Sequence, residues 1–169
     1  RWVNISLPIK SEPISHIVAQ SKIKLFDNDI NKINTPNILV AGCGTGQHSI
    51  ATATKFKNSK VLAIDLSLSS LAYAKRKTED LDINNIEYMH ADILKLDKLN
   101  RQFDIVESSG VLHHMKNPMA GWKVLVNCLK DGGLMKIGLY SALARQHINE
   151  IRREILELEL GSSDEEMRL

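Results

Sequence analysis

Three glycines stand close together after an apolar run, in the stretch LVAGCGTGQHS at residues 39–49. Glycine lets the backbone adopt positive φ angles and approach a ligand closely. A helix that begins near Gln47 would also point its free N–H groups and the positive end of its dipole at this loop. The loop therefore suits a carboxylate or a phosphate group.

Two aspartates extend this interpretation to a nucleoside. Asp65 stands roughly 20 residues beyond the loop, where an acidic side chain can accept hydrogen bonds from both hydroxyls of a ribose. Asp92, in the segment HADIL, could accept a hydrogen bond from the exocyclic amine of an adenine, and Ile93 could pack on the ring. Three segments of the chain thus point to one adenosine ligand.

The glycine spacing bears on which adenosine cofactor is bound. The dinucleotide fingerprint G-x-G-x-x-G requires a third glycine at the position that Gln47 occupies here. Without that glycine the helix packs less closely on the strand, and a pyrophosphate loses its usual place. The spacing favours a shorter cofactor, in which a single nucleoside carries an amino acid. The alternative class of protein is a nicotinamide-dependent dehydrogenase.

Strand and helix patterns alternate along the chain and explain how these residues could meet. Short apolar runs predict five strands, at residues 37–41, 60–65, 86–90, 103–108 and 133–140. Strands that alternate with helices favour a Rossmann-like α/β fold, with a mostly parallel sheet and helices on both faces. Such sheets bind ligands at the carboxyl ends of their strands, where the glycine loop and both aspartates would lie.

Apolar residues at helical spacing predict a helix in two of the segments between these strands. Ser67 suits the N-cap of one helix, and Asn117 with Pro118 suits the start of another that ends at residues 131–133. The predicted buried faces are Leu68, Leu71 and Ala72 in the first helix and Trp122, Leu125, Val126 and Leu129 in the second.

Five segments resemble, in order and spacing, the motifs of class I S-adenosylmethionine-dependent methyltransferases. They are ILVAGCGTG, VLAIDLS, HADILKL, FDIVESSGVLHHM and LKDGGLMKIGLY, within residues 37–140. The segments GVLHHMKNPMAGW and GLYSALARQHI, with RWV near the N-terminus, resemble bacterial methyltransferases that are often fused to tetratricopeptide repeats. The resemblance implies S-adenosyl-L-methionine as the cofactor and a tetratricopeptide-repeat domain elsewhere in the full-length chain.

The resemblance also assigns residues to the cofactor. The predicted set is Gly42, Cys43, Gly44, Gly46, Gln47, Asp65, Leu66, Asp92, Ile93, Ser108 and Ser109. Its three glycines are expected to surround the methionine part, and one of its two serines to lie against the methionine group. Asp65 is expected to bind the ribose, while Leu66 borders the adenine and Asp92 and Ile93 hold it.

Methyl transfer from a sulfonium is an in-line displacement, in which alignment and exclusion of water supply much of the acceleration. A base is needed only if the acceptor is a hydroxyl or a carbon acid, and His113, His114 and Glu107 are the candidate catalytic residues. The alternative is that the histidines anchor the loop or lie at the surface and that Glu107 contacts the cofactor or supports the loop. His48 could reach the methionine carboxylate or could be a solvated or packed side chain.

Composition argues against several kinds of partner. The chain has 22 basic and 20 acidic residues, only 5% aromatic residues and two cysteines, so neither nucleic acid nor a disulfide framework is indicated. The segment ESSGVL also differs from the Asn/Asp-Pro-Pro-aromatic motif of enzymes that methylate amino groups of DNA bases. No membrane span, signal peptide or metal site is predicted. We expect a cytoplasmic protein with a small-molecule methyl acceptor, favoured over a protein side chain.

The predicted organisation has three parts. Residues 1–30 comprise an N-terminal arm and a flanking helix, and the arm is either a lid, with Arg1 or Trp2 touching substrate, or a linker from an upstream domain. Residues 31–142 form the S-adenosylmethionine-binding core. Residues 143–169 contain a C-terminal helix and the start of a truncated segment, without the strand pair that normally follows. A non-catalytic cofactor-binding module of a larger repeat protein remains an alternative.

Overall fold

A computed structural model describes residues 10–21, 23–25, 29–141, 143–144 and 146–158. Arg1 and Trp2, and with them the question of a lid or a linker, lie outside the described residues. The chain divides into two units, Arg1–Gly138 and Leu139–Leu169.

The first unit contains a sheet and the helices that flank it. Its strands are β1 (Asn37–Ala41), β2 (Lys60–Asp65), β3 (Ile86–His90), β4 (Phe103–Ser109) and β5 (Leu129–Gly138). Its α-helices are α1 (Ile14–Gln20), α2 (Gln47–Lys55), α3 (Leu68–Asp80) and α4 (Pro118–Asn127). Its 3-10 helices are η1 (Asp29–Lys32), η2 (Ile93–Leu99) and η3 (Leu112–His114).

The sheet has the strand order β3-β2-β1-β4-β5, and every neighbouring pair is parallel. The chain runs outward from β1 through β2 to β3 and then returns to the other side of β1, so the order reverses between β1 and β4. A crevice at such a reversal is the usual ligand site of an open α/β sheet. The predicted Rossmann-like α/β fold is confirmed.

Two apolar cores cover the two faces of the sheet. Alternate residues of β1 take part in different cores, Ile38 and Val40 in the first and Leu39 and Ala41 in the second. The first core includes residues of α1, η1, α2 and α3, and the second includes residues of η2, η3 and α4. Because both faces are buried, each inner strand needs a continuous apolar run, which is the pattern that made the strands visible in the sequence.

The helix starts agree with the sequence, but the predicted buried face of α3 is partly wrong. The Ser67 side chain accepts a hydrogen bond from the Ser70 amide at 3.2 Å, which confirms the N-cap. The buried residues of α3 are Leu71, Ala74 and Thr78, whereas Leu68 and Ala72 are exposed. Ala72 lies about 100° around the helix from Leu71, and Leu68 belongs to the first turn, which begins beyond the end of β2.

The end of α4 and the start of β5 also differ from the prediction. The helix stops at Asn127 and β5 begins at Leu129, so residues 131–133 lie inside the strand and do not end the helix. The register shifts between Phe103 and Ile105 of β4, which leaves extra residues of β5 in a bulge. Val126, predicted to be buried, is exposed, and Leu129 belongs to the strand. β4 extends to Ser109, and β5 ends at Gly138 and not at residue 140.

The second unit contains the predicted C-terminal helix, here α5 (Gln146–Glu157). Ile151, Ile155 and, just beyond the helix, Leu158 are exposed apolar residues.

Candidate functional site

The loop after β1 carries its three glycines in the left-handed region, with φ angles of +79° at Gly42, +52° at Gly44 and +93° at Gly46. A Cβ atom at Gly42 would collide with Val111, and one at Gly46 would lie 2.6 Å from the Cβ atom of Ala74. At Gly44 a Cβ atom would meet nothing within 4 Å. Gly42 and Gly46 therefore allow neighbouring residues to pack closely against the loop, whereas the backbone of Gly44 faces open space.

Asp65, the last residue of β2, holds this loop in place. Its Oδ2 atom accepts a hydrogen bond from the Gly44 amide at 2.7 Å, and its Oδ1 atom accepts one from the Ser67 amide at 2.9 Å. Each carboxylate oxygen has a second lone pair that can accept a further hydrogen bond. The carboxylate is thus fixed in orientation while it keeps the capacity to bind a pair of hydroxyls.

A cavity of about 330 Å³ opens at the carboxyl ends of the first four strands. It is lined by Gly42, Gly44, Asp65, Leu66, Ala91, Asp92, Ile93, Ser109, Gly110, Val111, His114 and Met115. Seven residues of the predicted cofactor set are among them: Gly42, Gly44, Asp65, Leu66, Asp92, Ile93 and Ser109. The strand order therefore brings together predicted residues that are up to 67 positions apart in the chain.

One wall of the cavity is built where β2 and β3 end. Asp92 accepts a hydrogen bond from the Leu94 amide at 2.9 Å and so caps η2, which begins with the buried Ile93. The Leu66 side chain is exposed, and the Leu66 carbonyl accepts a hydrogen bond from the His90 ring at 3.0 Å. This wall combines an apolar surface with a carboxylate.

Four residues of the predicted cofactor set do not line the cavity. They are Cys43, Gly46, Gln47 and Ser108. Cys43 is a buried thiol, and burial raises its pKa to about 12. Gly46 packs on α3, the Gln47 side chain is exposed at the start of α2, and Ser108 is buried in β4.

Glu107 lies on the α2 side of the sheet and does not line the cavity. Its Oε2 atom accepts a hydrogen bond from the Thr52 hydroxyl at 2.5 Å and lies 3.1 Å from Nε2 of His48. Burial alone would raise the pKa of Glu107, but the His48 ring, the Thr52 hydroxyl and Lys136, 3.9 Å away, together lower it. The structure therefore places Glu107 as an ionised partner of α2, away from the position expected of a base.

Of the two candidate histidines, His114 lines the cavity and His113 does not. Both belong to η3, which is anchored by the buried Leu112. The two rings are adjacent, with Nε2 atoms 3.1 Å apart and ring centroids 4.2 Å apart.

Sequence reasoning missed four residues that line the cavity, namely Ala91, Gly110, Val111 and Met115. Ala91, Gly110 and Met115 are adjacent to a residue that was predicted, and Val111 is two residues from one, within the segments HADIL and ESSGVLHHM. Gly110 has a φ angle of +76°, and its amide donates to the Gly138 carbonyl at 2.9 Å. A glycine directly after a strand was the signal available for this turn.

Across the parts of the chain that the structure describes, no helix has the length and apolar character needed to cross a membrane.

A parallel sheet with this strand order, a glycine loop after β1 and a fixed carboxylate at the end of β2 define a Rossmann-like protein that binds a nucleoside cofactor. The chain belongs to the methyltransferase-domain family, whose model matches residues 38–133, more than half of its length. This family membership agrees with the class I methyltransferase resemblance of the sequence.

Relatives of known sequence include an uncharacterized protein of Synechococcus, 30% identical over 125 residues, which are 73% of this chain and 30% of that protein. A demethylmenaquinone methyltransferase of Oceanobacillus iheyensis is 30% identical over 92 residues, which are 54% of this chain and 39% of that enzyme. The chain thus spans between 30% and 39% of the length of these two relatives.

Solved structures share the fold. A coclaurine N-methyltransferase bound to N-methylheliamine and SAH has a TM-score of 0.58 and 22% identity, covering 73% of this chain and 34% of that one. PKMT2 from Rickettsia typhi in complex with AdoHcy has a TM-score of 0.61 and 24% identity, covering 78% of this chain and 29% of that one. The family supports S-adenosylmethionine as the cofactor, as the sequence resemblance implied, and these neighbours share the fold of the chain.

Proposed function

We propose that this chain binds S-adenosylmethionine in the cavity at the strand ends and supports transfer of its methyl group to a small-molecule acceptor. The observation that carries the proposal is the Asp65 carboxylate, which is held between the amides of Gly44 and Ser67 beside the cavity. In this arrangement Asp65 binds the ribose hydroxyls, and Asp92 and Ile93 bind the adenine.

The charge of the cavity suits this cofactor. Asp65 and Asp92 are carboxylates, and the described lining residues include neither lysine nor arginine. A sulfonium is positively charged and gains from nearby carboxylates. The lining is therefore compatible with S-adenosylmethionine, whereas Gln47 at the position of the third glycine of the dinucleotide fingerprint disfavours NAD.

S-adenosylmethionine, when bound, supplies an electrophilic methyl group on sulfur. The chain's own residues orient the cofactor and exclude water from it. Val111 and Met115 add apolar surface to the cavity, and His114 is a lining residue whose ring can take a proton from the acceptor. Ser109 lies at the end of β4, where the methionine group is expected.

The acceptor is proposed to be a small molecule because the cavity is concave and largely lined by apolar and glycine residues. The chain spans 30% and 39% of the length of the two relatives described above, so further parts of the complete protein are expected to contribute to acceptor binding. A tetratricopeptide-repeat domain and a cytoplasmic location are likewise proposals.

The cofactor is tested by calorimetric titration of the chain with S-adenosylhomocysteine and, separately, with NADH. We expect saturable binding of the first and none of the second. Binding of NADH in place of S-adenosylhomocysteine would overturn the assignment.

Catalysis is tested with radiolabelled S-adenosylmethionine, the complete protein and a lysate depleted of small molecules or of proteins. We expect label in the small-molecule fraction. Tight cofactor binding without transfer to either fraction would instead favour a non-catalytic cofactor-binding module.

A further inference from the structure

Leu66 lines the cavity although 67% of its surface is exposed to solvent. It follows β2 directly, and the buried Ile93, three positions after β3, lines the same cavity. An aromatic ring that bound at these two strand ends would cover Leu66 and remove apolar surface from water. How well such a ring fits depends on where the Leu66 backbone lies relative to the end of β3.

A side chain of β3 holds the Leu66 backbone. The regular pairing of β2 with β3 ends at Asp65 and His90, and the Asp65 carbonyl accepts a hydrogen bond from the Ala91 amide at 3.2 Å. Beyond this point the Leu66 carbonyl accepts a hydrogen bond from Nε2 of the His90 ring at 3.0 Å. The His90 side chain thus extends the connection between the two strands by one residue, at the edge of the cavity.

The direction of this hydrogen bond follows from the chemistry of its two atoms. A carbonyl oxygen can only accept, so Nε2 of His90 carries the proton. The His90 side chain is exposed and belongs to neither apolar core, so its replacement should leave the stability of the sheet nearly unchanged. An effect on ligand binding can therefore be separated from an effect on folding.

We propose that His90 is a positioning residue for the adenine of the cofactor. Its ring holds the Leu66 backbone beside the end of β3, so that the Leu66 side chain covers one face of an adenine bound by Asp92 and Ile93. This inference rests on the proposed function, which puts the adenine at these strand ends, and names the residue that sets the position of Leu66. His90 is not among the residues that line the cavity, so it acts through Leu66.

The ribose side of the site keeps its own contacts when His90 is replaced. The Asp65 carboxylate accepts hydrogen bonds from the amides of Gly44 and Ser67, and neither bond involves β3. Loss of the His90 ring releases the Leu66 carbonyl and leaves these two bonds in place. The effect on affinity should therefore be moderate and should come from the adenine half of the ligand.

Two substitutions separate the hydrogen bond from the bulk of the side chain. His90→Gln keeps a donor, because the glutamine amide carries two N–H groups at a similar reach, whereas His90→Leu has similar size and no donor. His16→Leu removes another exposed histidine, on α1 and away from the cavity, and is the matched control. We expect all three variants to unfold at the urea midpoint of the wild-type chain.

Calorimetric titration with S-adenosylhomocysteine, and with adenosine in competition with it, measures the effect. We expect His90→Leu to weaken both ligands by the same factor of about 3 to 10, because both contain the adenine. His90→Gln and His16→Leu should stay within about twofold of the wild-type affinities. In a Leu66→Ala background, His90→Leu should change affinity by less than about twofold, because the side chain that it positions is gone.

The outcomes distinguish this inference from the proposed function. If the wild-type chain binds both ligands and His90→Leu binds them equally well, the inference is overturned and the proposed function stands. A loss confined to S-adenosylhomocysteine, an equal loss in His90→Gln, or an undiminished loss in the Leu66→Ala background also overturns it. If the wild-type chain binds neither ligand, both the inference and the proposed function are rejected.

Discussion

The Oδ2 atom of Asp65 accepts a hydrogen bond from the Gly44 amide at 2.7 Å, so the residue predicted to hold the ribose also holds the glycine loop. The loop and the carboxylate come from different strands, 21 residues apart in the chain. Because of this hydrogen bond, the position of the Gly44 backbone depends on Asp65, the last residue of β2. The two halves of the proposed cofactor site are therefore joined by a direct hydrogen bond.

Asp65→Ala should weaken binding of S-adenosylhomocysteine by about tenfold or more, because the ribose loses its acceptor and the Gly44 loop loses its anchor. Calorimetric titration measures this change. Asp80→Ala is the matched control, since its exposed carboxylate pairs with Lys77 at the end of α3 and does not line the cavity. Equal affinities of Asp65→Ala and the wild-type chain would contradict the assigned role.

Gly46→Ala and Gly44→Ala should separate stability from binding. An alanine at Gly46 would place its Cβ atom 2.6 Å from that of Ala74 at a φ angle of +93°, so we expect a loss of about 2–4 kcal/mol in the free energy of unfolding. At Gly44 there is room for a methyl group, and the left-handed backbone costs only about 1–2 kcal/mol.

The methyl group at Gly44 would, however, project where the loop faces open space beside the cavity, so Gly44→Ala should weaken S-adenosylhomocysteine binding more than its small loss of stability suggests. Denaturant unfolding and ligand titration of both variants test the contrast. If Gly46→Ala proved as stable as the wild-type chain, the close packing of the loop on α3 would be refuted.

Glu107→Gln should make stability less sensitive to acid. The pKa of Glu107 is lower in the folded chain than in the unfolded one, so its contribution is present at neutral pH and is lost as the pH falls through the folded-state pKa. The variant lacks this contribution and should be less stable by about 1–3 kcal/mol at pH 7, with a smaller further loss on acidification.

Urea unfolding at neutral and acidic pH measures this difference. Glu87→Gln is a suitable control, because Glu87 pairs with Arg101 at the surface and its side chain is 56% exposed. Removal of that pair should change the free energy of unfolding by no more than about 0.5 kcal/mol. Parallel acid dependence in the Glu107 variant and the wild-type chain would argue against an ionised Glu107.

Cys43 and Cys128 should resist alkylation in the folded chain at pH 8. Both thiols are buried, and burial raises the pKa of Cys43 to about 12 and also raises that of Cys128, so little thiolate is present. Because the unfolded thiols ionise at lower pH, the stability they support is present at neutral pH and falls as the pH rises into the alkaline range. Mass spectrometry after iodoacetamide treatment should show no label until guanidinium is added, and rapid labelling of native Cys43 would show that it is accessible.

The sequence by itself predicted β1, β2 and β3 with their observed limits. β1 and β2 are buried on both faces, so each is a short continuous apolar run, whereas β3 is a partly buried edge strand in which Glu87 and His90 are exposed. A glycine or a polar residue marks where each strand ends. Parallel strands end at the same edge of a sheet, and the order of the segments was therefore enough to bring Asp65, Asp92 and the glycine loop together. A local pattern of apolar and polar residues predicts where such strands lie because it reflects which of a few successive residues are buried.

Only the tertiary structure decided which side chains after β1 and β4 face the cavity. Glu107 and His114 are seven residues apart, yet Glu107 turns to α2 and pairs with His48, while His114 reaches the cavity. Successive residues of a strand point to opposite faces, and the path after β4 depends on the turn at Gly110 and on Leu112, which is buried in the second core. Those directions follow from long-range packing, which no local pattern of residue types records.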